Sequence, residues 1–142
     1  MNLEPIFEGE QNSIAKRPLI LLVEDNKDSL ELLIHFLEAF DCLCITATNG
    51  RAALTVAQDM QPDLILLDIM LPDMDGLEVI RCLKQISRTM TIPIVAVTAL
   101  ARATDREQIL LAGCDDYISK PYMLEDLAAL VYRYLNLGSS LP

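Results

Sequence analysis

Pro62-Asp63-Leu64-Ile65-Leu66-Leu67-Asp68 is the stretch that decides how the rest of the chain is read. An unbroken aliphatic run, Leu64 to Leu67, bounded by a proline and an acidic loop predicts a short strand buried on both faces. A carboxylate where such a strand ends, here Asp68, sits at the mouth of a sheet, on rigid backbone yet open to water. The residues that follow, Ile69-Met70-Leu71-Pro72-Asp73-Met74-Asp75-Gly76, are loop chemistry: Pro and Gly punctuate them and two further acids are carried along.

Working outward, the same alternation of element types recurs. Leu19 to Val23 is a continuously aliphatic first strand that ends in Glu24-Asp25-Asn26. Leu30, Leu33, Ile34 and Leu37 then recur at helical spacing, predicting a helix from Lys27 to about Ala39. Cys42 to Thr46 reads as a second strand, and Asn49-Gly50 as a turn opening a helix through Ala52, Ala53, Val56 and Ala57. After the Asp68 strand, a helix is expected from Gly76 to Ile86 with Val79, Ile80 and Leu83 inward. A fourth strand, Ile94 to Val97, starts behind Pro93 and ends at Thr98. A helix from Thr104 to Ala112 stops at Gly113, a residue suited to a left-handed helix end. Asp116 to Ser119 is a short fifth strand ending at Lys120-Pro121, and Leu124 to Leu135 a last helix.

Five strands alternating with five helices imply a doubly wound α/β fold, a parallel sheet covered on both faces, because each connection must cross over. Ligands of such sheets bind beyond the carboxyl ends of the strands. The polar residues obey that rule. Glu24 and Asp25 close strand one, Asp68 strand three, Thr98 strand four and Lys120 strand five, so a parallel sheet brings all of them to one edge.

The totals narrow the function classes. A chain of 142 residues, 52% of them apolar, suits one globular domain with a single core. A net charge of −10 without a basic stripe argues against nucleic acid and disfavours an anionic membrane surface. No apolar run reaches the length of a bilayer span. Met1 to Arg17, with Glu4, Glu8 and Glu10, lacks the apolar segment of a signal peptide, and a cytoplasmic protein is expected. Cys42, Cys44, Cys82 and Cys114 form no CxxC pair and read as small buried hydrophobes. Residues 1–17 and 138–142 are expected to be tails around one domain at 18–137.

Carboxylates gathered within a few ångströms repel one another, by about 4 kcal/mol per pair at 4 Å and an effective dielectric near 20. Such a site wants a dication, and hard oxygen donors beside a phosphate suit Mg2+. Lys120 adds a fixed positive charge for a phosphoryl oxygen, and the Thr98 hydroxyl can donate to another. The Asp68 carboxylate can attack phosphorus in line.

From Pro18 to Leu137 the chain resembles the receiver domain of two-component response regulators. The resemblance is carried by Leu22-Val23-Glu24-Asp25-Asn26, Leu66-Leu67-Asp68 with the loop to Gly76, Val97-Thr98-Ala99, and Ala112-Gly113-Cys114-Asp115-Asp116-Tyr117-Ile118-Ser119-Lys120-Pro121. It implies a strand order of 2-1-3-4-5, Asp68 as phosphoacceptor and Asp25 as a direct Mg2+ ligand. It further implies that Glu24 acts through water and that the backbone carbonyl of Met70 is a ligand. Thr98 and Lys120 take the place of the phosphate-sensing pair, Ala99 leaves the phosphoryl room, Tyr117 is the switch aromatic, and Lys120-Pro121 is a cis peptide. The partners implied are a histidine kinase or histidine phosphotransfer protein and a downstream protein target. Beyond its own phosphorylation and dephosphorylation the domain would catalyse nothing.

Leu130, Tyr134 and Leu137 form a second stripe on the last helix, and Ile109, Leu110 and Leu111 cannot all face inward. An apolar surface on the fourth and fifth helices is therefore expected, for a homodimer or a docked partner. Relay of the phosphoryl group, or origin in a larger hybrid kinase or regulator, is the alternative within the family. A haloacid-dehalogenase-type phosphatase would want Asp-x-Asp after strand one and a capping domain. A flavodoxin-like flavin binder would want a phosphate-cradling loop where Glu24-Asp25 stand.

Overall fold

In the computed structural model, residues 17–99 and 102–135 are described; both tails, apart from Arg17, and Leu137 of the expected stripe lie outside them. The strands are β1 (Leu19–Val23), β2 (Leu43–Ala47), β3 (Leu64–Asp68), β4 (Ile94–Thr98) and β5 (Asp116–Ser119). The helices are α1 (Lys27–Glu38), α2 (Gly50–Met60), α3 (Gly76–Gln85), α4 (Ala103–Leu111) and α5 (Leu124–Leu135). All strand pairs are parallel, in the order β2-β1-β3-β4-β5, as the resemblance implies.

Strand periodicity divides the aliphatic runs between two cores. Leu21, Val23, Ile65, Leu67, Ile94 and Ala96 point to one face, against Ala53, Ala57, Val79, Leu83 and Ile109 of α2, α3 and α4. Ile20, Leu22, Leu64, Leu66 and Val95 point to the other, against Leu30, Leu33 and Leu37 of α1 and Leu127 and Val131 of α5. The continuous burial of β3 and β4 follows from having helices on both sides. No helix among the described residues is long and apolar enough to cross a membrane.

Local chemistry sets the element ends. Asn26, Asn49 and Asp75 each accept a hydrogen bond from the first turn of the helix they precede. Gly113, at φ +112°, takes the left-handed turn after α4. β2 begins at Leu43 rather than Cys42: the Leu43 N–H opens the pairing with β1 on the Pro18 carbonyl, while the Cys42 N–H closes the turn after α1 on the Leu37 carbonyl. All four cysteines are free thiols, and burial pushes those of Cys44 and Cys114 up to about 11.

The expected apolar surface needs revision on one side. Leu110 and Leu111 do face outward, at 49% and 81% exposure. On α5, however, Leu130 and Tyr134 are half-buried against the second core. The Tyr134 hydroxyl lies 3.1 Å from both the Asp115 carbonyl and Asp116 Oδ2, donating into β5. Helix α5 turns a wider face inward than the core stripe alone predicts.

Gly76 is where the backbone leaves least room. A Cβ there would lie 2.5 Å from the Ile69 Cα and 2.6 Å from its carbonyl oxygen, which are main-chain atoms that cannot turn aside. Gly76→Ala should destabilise the fold by about 1–3 kcal/mol through overpacking, read as a lower urea midpoint; an unchanged midpoint would mean that this loop is not tightly packed.

Candidate functional site

Register assembles the site. Val23 pairs with Leu67 and Asp68 with Val97, so Glu24 and Asp68 leave adjacent strands side by side, with Thr98 one strand further. Glu24, Asp25 and Asp68 each offer a carboxylate oxygen within 4.8 Å of the others. Glu24 and Asp68 are nearly closed to water, at 5% and 6% exposure, whereas Asp25 is exposed at the rim.

Lys120 reaches into this cluster from the end of β5. Its Nζ donates to Asp68 Oδ2 at 3.0 Å and to Glu24 Oε1 at 3.2 Å. The remaining oxygens meet backbone: Asp68 Oδ1 accepts from the Met70 N–H at 2.9 Å, and Glu24 Oε2 from the Asn26 N–H at 3.0 Å. Each buried carboxylate thus has one oxygen on the ammonium and one on an amide, which is how two like charges persist under cover.

Burial pushes the Glu24 carboxyl above its ordinary value; the Asn26 amide opposes this, the Asp68 charge adds to it and Lys120 offsets it. Burial works against the Lys120 charge as well, but its hydrogen bond and attraction to Asp68, then those to Glu24, hold it above the usual lysine value. Burial likewise raises the hydroxyl of Tyr122, which borders the same small cavity as Glu24 and Asp68.

Of the residues expected at the site, Glu24, Asp25, Asp68 and Lys120 come together as predicted. Thr98 is fully buried at the end of β4, and its carbonyl accepts from the Lys120 N–H at 2.7 Å. Ala99 follows it, exposed. Met70 sits over the loop with its side chain exposed and lines, with Asp25, Pro72, Met74 and Gln108, an open cleft of about 710 Å3. Tyr117 is farther back on β5, in register with Ala96, packed against the first core. The Arg106 guanidinium lies 5.8 Å over its ring, within cation–π range. Lys120-Pro121 is cis, as expected.

Sequence reasoning did not single out Tyr122 or Asp73. Asp73 binds the start of α2, and no local pattern pairs it with residues 50 and 51. The aromatic directly after Lys120-Pro121 was the available signal for Tyr122.

Three carboxylates against one ammonium leave the site net negative and lined by hard oxygens, a donor set that fits Mg2+. A carboxylate on rigid backbone beside a fixed cation can also act as a nucleophile toward phosphorus.

A family model described as response regulator receiver domain matches residues 20–132. The polar-differentiation response regulator DivK of Brucella anthropi is 40% identical over 117 residues, covering 82% of this chain and 95% of the relative. The signal receiver domain of a histidine kinase from Syntrophus aciditrophicus superposes with a TM-score of 0.78 at 37% identity, covering 84% of this chain and 90% of that one. The receiver domain of a sensor histidine kinase from Pseudomonas aeruginosa, solved with magnesium in its active-site cleft, gives a TM-score of 0.78 at 32% identity, covering 84% and 98%.

The raised Glu24 carboxyl fixes the sign of a pH effect. The folded state holds that proton more tightly than the unfolded one, so the contribution is present below the ordinary value of 4.5 and is lost as pH rises through the folded value. In chelator, Glu24→Gln should therefore gain stability relative to the parent as pH is raised from about 4 to 7. Urea melts across that range check it, and a difference that shrinks with pH would contradict the assignment.

Proposed function

The chain belongs to the response regulator receiver domain family, and from there we propose that Asp68 accepts a phosphoryl group from the phosphohistidine of a histidine kinase or histidine phosphotransfer protein. The observation that carries this is the grip on Asp68, one oxygen on the Met70 amide and the other on the Lys120 ammonium. Both oxygens are oriented before any donor arrives, so little ordering remains for the reaction. An Asp68 oxygen attacks phosphorus, the phosphorus–nitrogen bond breaks, and the imidazole leaves with that electron pair; the product is an acyl phosphate. Lys120, already at Asp68, follows the charge onto a phosphoryl oxygen, and the Thr98 hydroxyl donates to another. Ala99 adds no bulk at the end of β4.

Mg2+ would be held by Asp25, Asp68 and the Met70 carbonyl, with Glu24 acting through water. When bound, it supplies positive charge for the phosphoryl oxygens. The oxygen cluster and the magnesium of the Pseudomonas relative support this choice. Transfer is confined to the protein's own phosphoryl group, and we assign it to the cytoplasm, whose reducing medium suits the four free thiols.

Once Thr98 is engaged, Tyr117 reorients and the face of α4, β5 and α5 changes, a shift between two populations of one fold. The exposed Leu110 and Leu111 support docking of a downstream protein target there. A homodimer through α4 and α5 draws less support, because Leu130 and Tyr134 are turned inward. Similarity to receiver domains of histidine kinases as well as to DivK favours a second reading, a relay intermediate or the receiver of a larger hybrid protein.

Asp68→Asn should abolish labelling by a phosphorylated kinase or by acetyl phosphate while leaving the thermal midpoint within a few degrees of the parent. Stoichiometric labelling of that variant would overturn the assignment.

A further inference from the structure

The geometry points to Asp73 as a positioning residue for the cation site: its carboxylate straps the loop that carries Met70 onto the N-terminus of α2. The inference rests on the magnesium reading given above. Asp73 Oδ1 accepts from the Gly50 N–H at 2.7 Å and Oδ2 from the Arg51 N–H at 3.0 Å. These are leading amides of α2, which have no partner inside their own helix, and the positive end of the helix favours an anion there. The same two hydrogen bonds, Gly50 first, hold the Asp73 carboxyl below the usual range.

The strap acts on a loop whose other restraints are already in place. Its base is closed by the Gly76 N–H donating to the Ile69 carbonyl at 3.0 Å. The Met70 N–H is held by Asp68 at 2.9 Å. The Met74 side chain lies where a Cβ on Gly50 would go, so the loop tip sits directly on α2. Asp73 turns that packing contact into a directed one, and Met70 lies between the closed base and the tied tip. Asp73 lines the same cleft as Asp25, but its two oxygens lie on the α2 amides and it is not one of the three carboxylates whose oxygens gather within 4.8 Å of one another. Removing it frees the peptide that would present the Met70 carbonyl, while Asp25, Asp68 and Glu24 stay on their strand ends.

Helix α2 also supplies the control. Asn49 caps it independently, accepting from the Ala52 N–H at 2.8 Å, and does not touch the loop hydrogen bonds. Asn49→Ala therefore weakens the helix start without cutting the strap. The test is Mn2+ uptake, followed by electron paramagnetic resonance of the free ion, on full-length parent, Asp73→Ala, Asp73→Asn and Asn49→Ala, each checked for folding by circular dichroism. Asp73→Ala should bind Mn2+ about tenfold more weakly, the low end for loss of an outer-shell partner. Asp73→Asn, which keeps one acceptor oxygen, should lose less. Asn49→Ala should match the parent, and labelling of Asp73→Ala by acetyl phosphate should recover at saturating Mg2+. Parent-like affinity in Asp73→Ala, or an equal loss in Asn49→Ala, would overturn the strap; a parent that takes up no Mn2+ would instead overturn the magnesium reading beneath it.

Discussion

The hydrogen bonds from Lys120 to Asp68 and Glu24 are the interaction around which the top of this domain is built. Two buried carboxylates cannot sit on adjacent strand ends without a positive charge between them. The chain supplies that charge from β5, two strands away from β3 in the sheet. The reach of a lysine stem makes this workable, since its methylenes can run along apolar surface while the ammonium is delivered to the acids. The site is therefore assembled by charge balance between segments remote in sequence, and it exists only when β1, β3 and β5 are in register.

Register in turn depends on the two cores. Alternate side chains of β1, β3 and β4 are claimed by opposite helix layers, so a slip of one residue would turn every aliphatic side chain to the wrong face. The strong burial of these strands fixes the polar residues at their ends to within hydrogen-bonding distance. The loop after β3 is secured differently, by glycine at position 76, by the amides of Gly50 and Arg51, and by Asp68 itself. Rigid strands hold the charged groups, and a closely tied loop holds the backbone that faces them. Among the described residues, α4 has outward leucines and no side-chain hydrogen bond at its N-cap.

Much of this was legible in the residues. Continuous aliphatic runs such as Leu64 to Leu67 announce doubly covered strands, and acids and a lysine at their carboxyl ends announce a site, because parallel strands bring like ends together. Periodicity likewise marked Leu30, Leu33 and Leu37 as a buried stripe. What was not legible depends on distance in space. Whether Lys120 would sit on Asp68 alone or bridge to Glu24 is settled by side-chain reach, not by spacing. Asp73 looks like any loop acid until the start of α2 is brought beside it. On α5 the stripe turns inward at Tyr134 because that side chain has an apolar ring and a polar tip, and the tip meets Asp116 while the ring packs against the second core. The one-residue shift at Cys42 arises because pairing with β1 opens at the Leu43 amide, which no local pattern marks.

The central claim is that Asp68 is the acid whose oxygen becomes bonded to phosphorus. Its most direct test is reduction with borohydride after incubation with acetyl phosphate and Mg2+, followed by peptide mass spectrometry, since reduction of an aspartyl phosphate leaves homoserine. The account predicts homoserine at position 68 and nowhere else. Homoserine at position 25, or a fully unmodified chain under conditions that phosphorylate a known receiver domain, would contradict it.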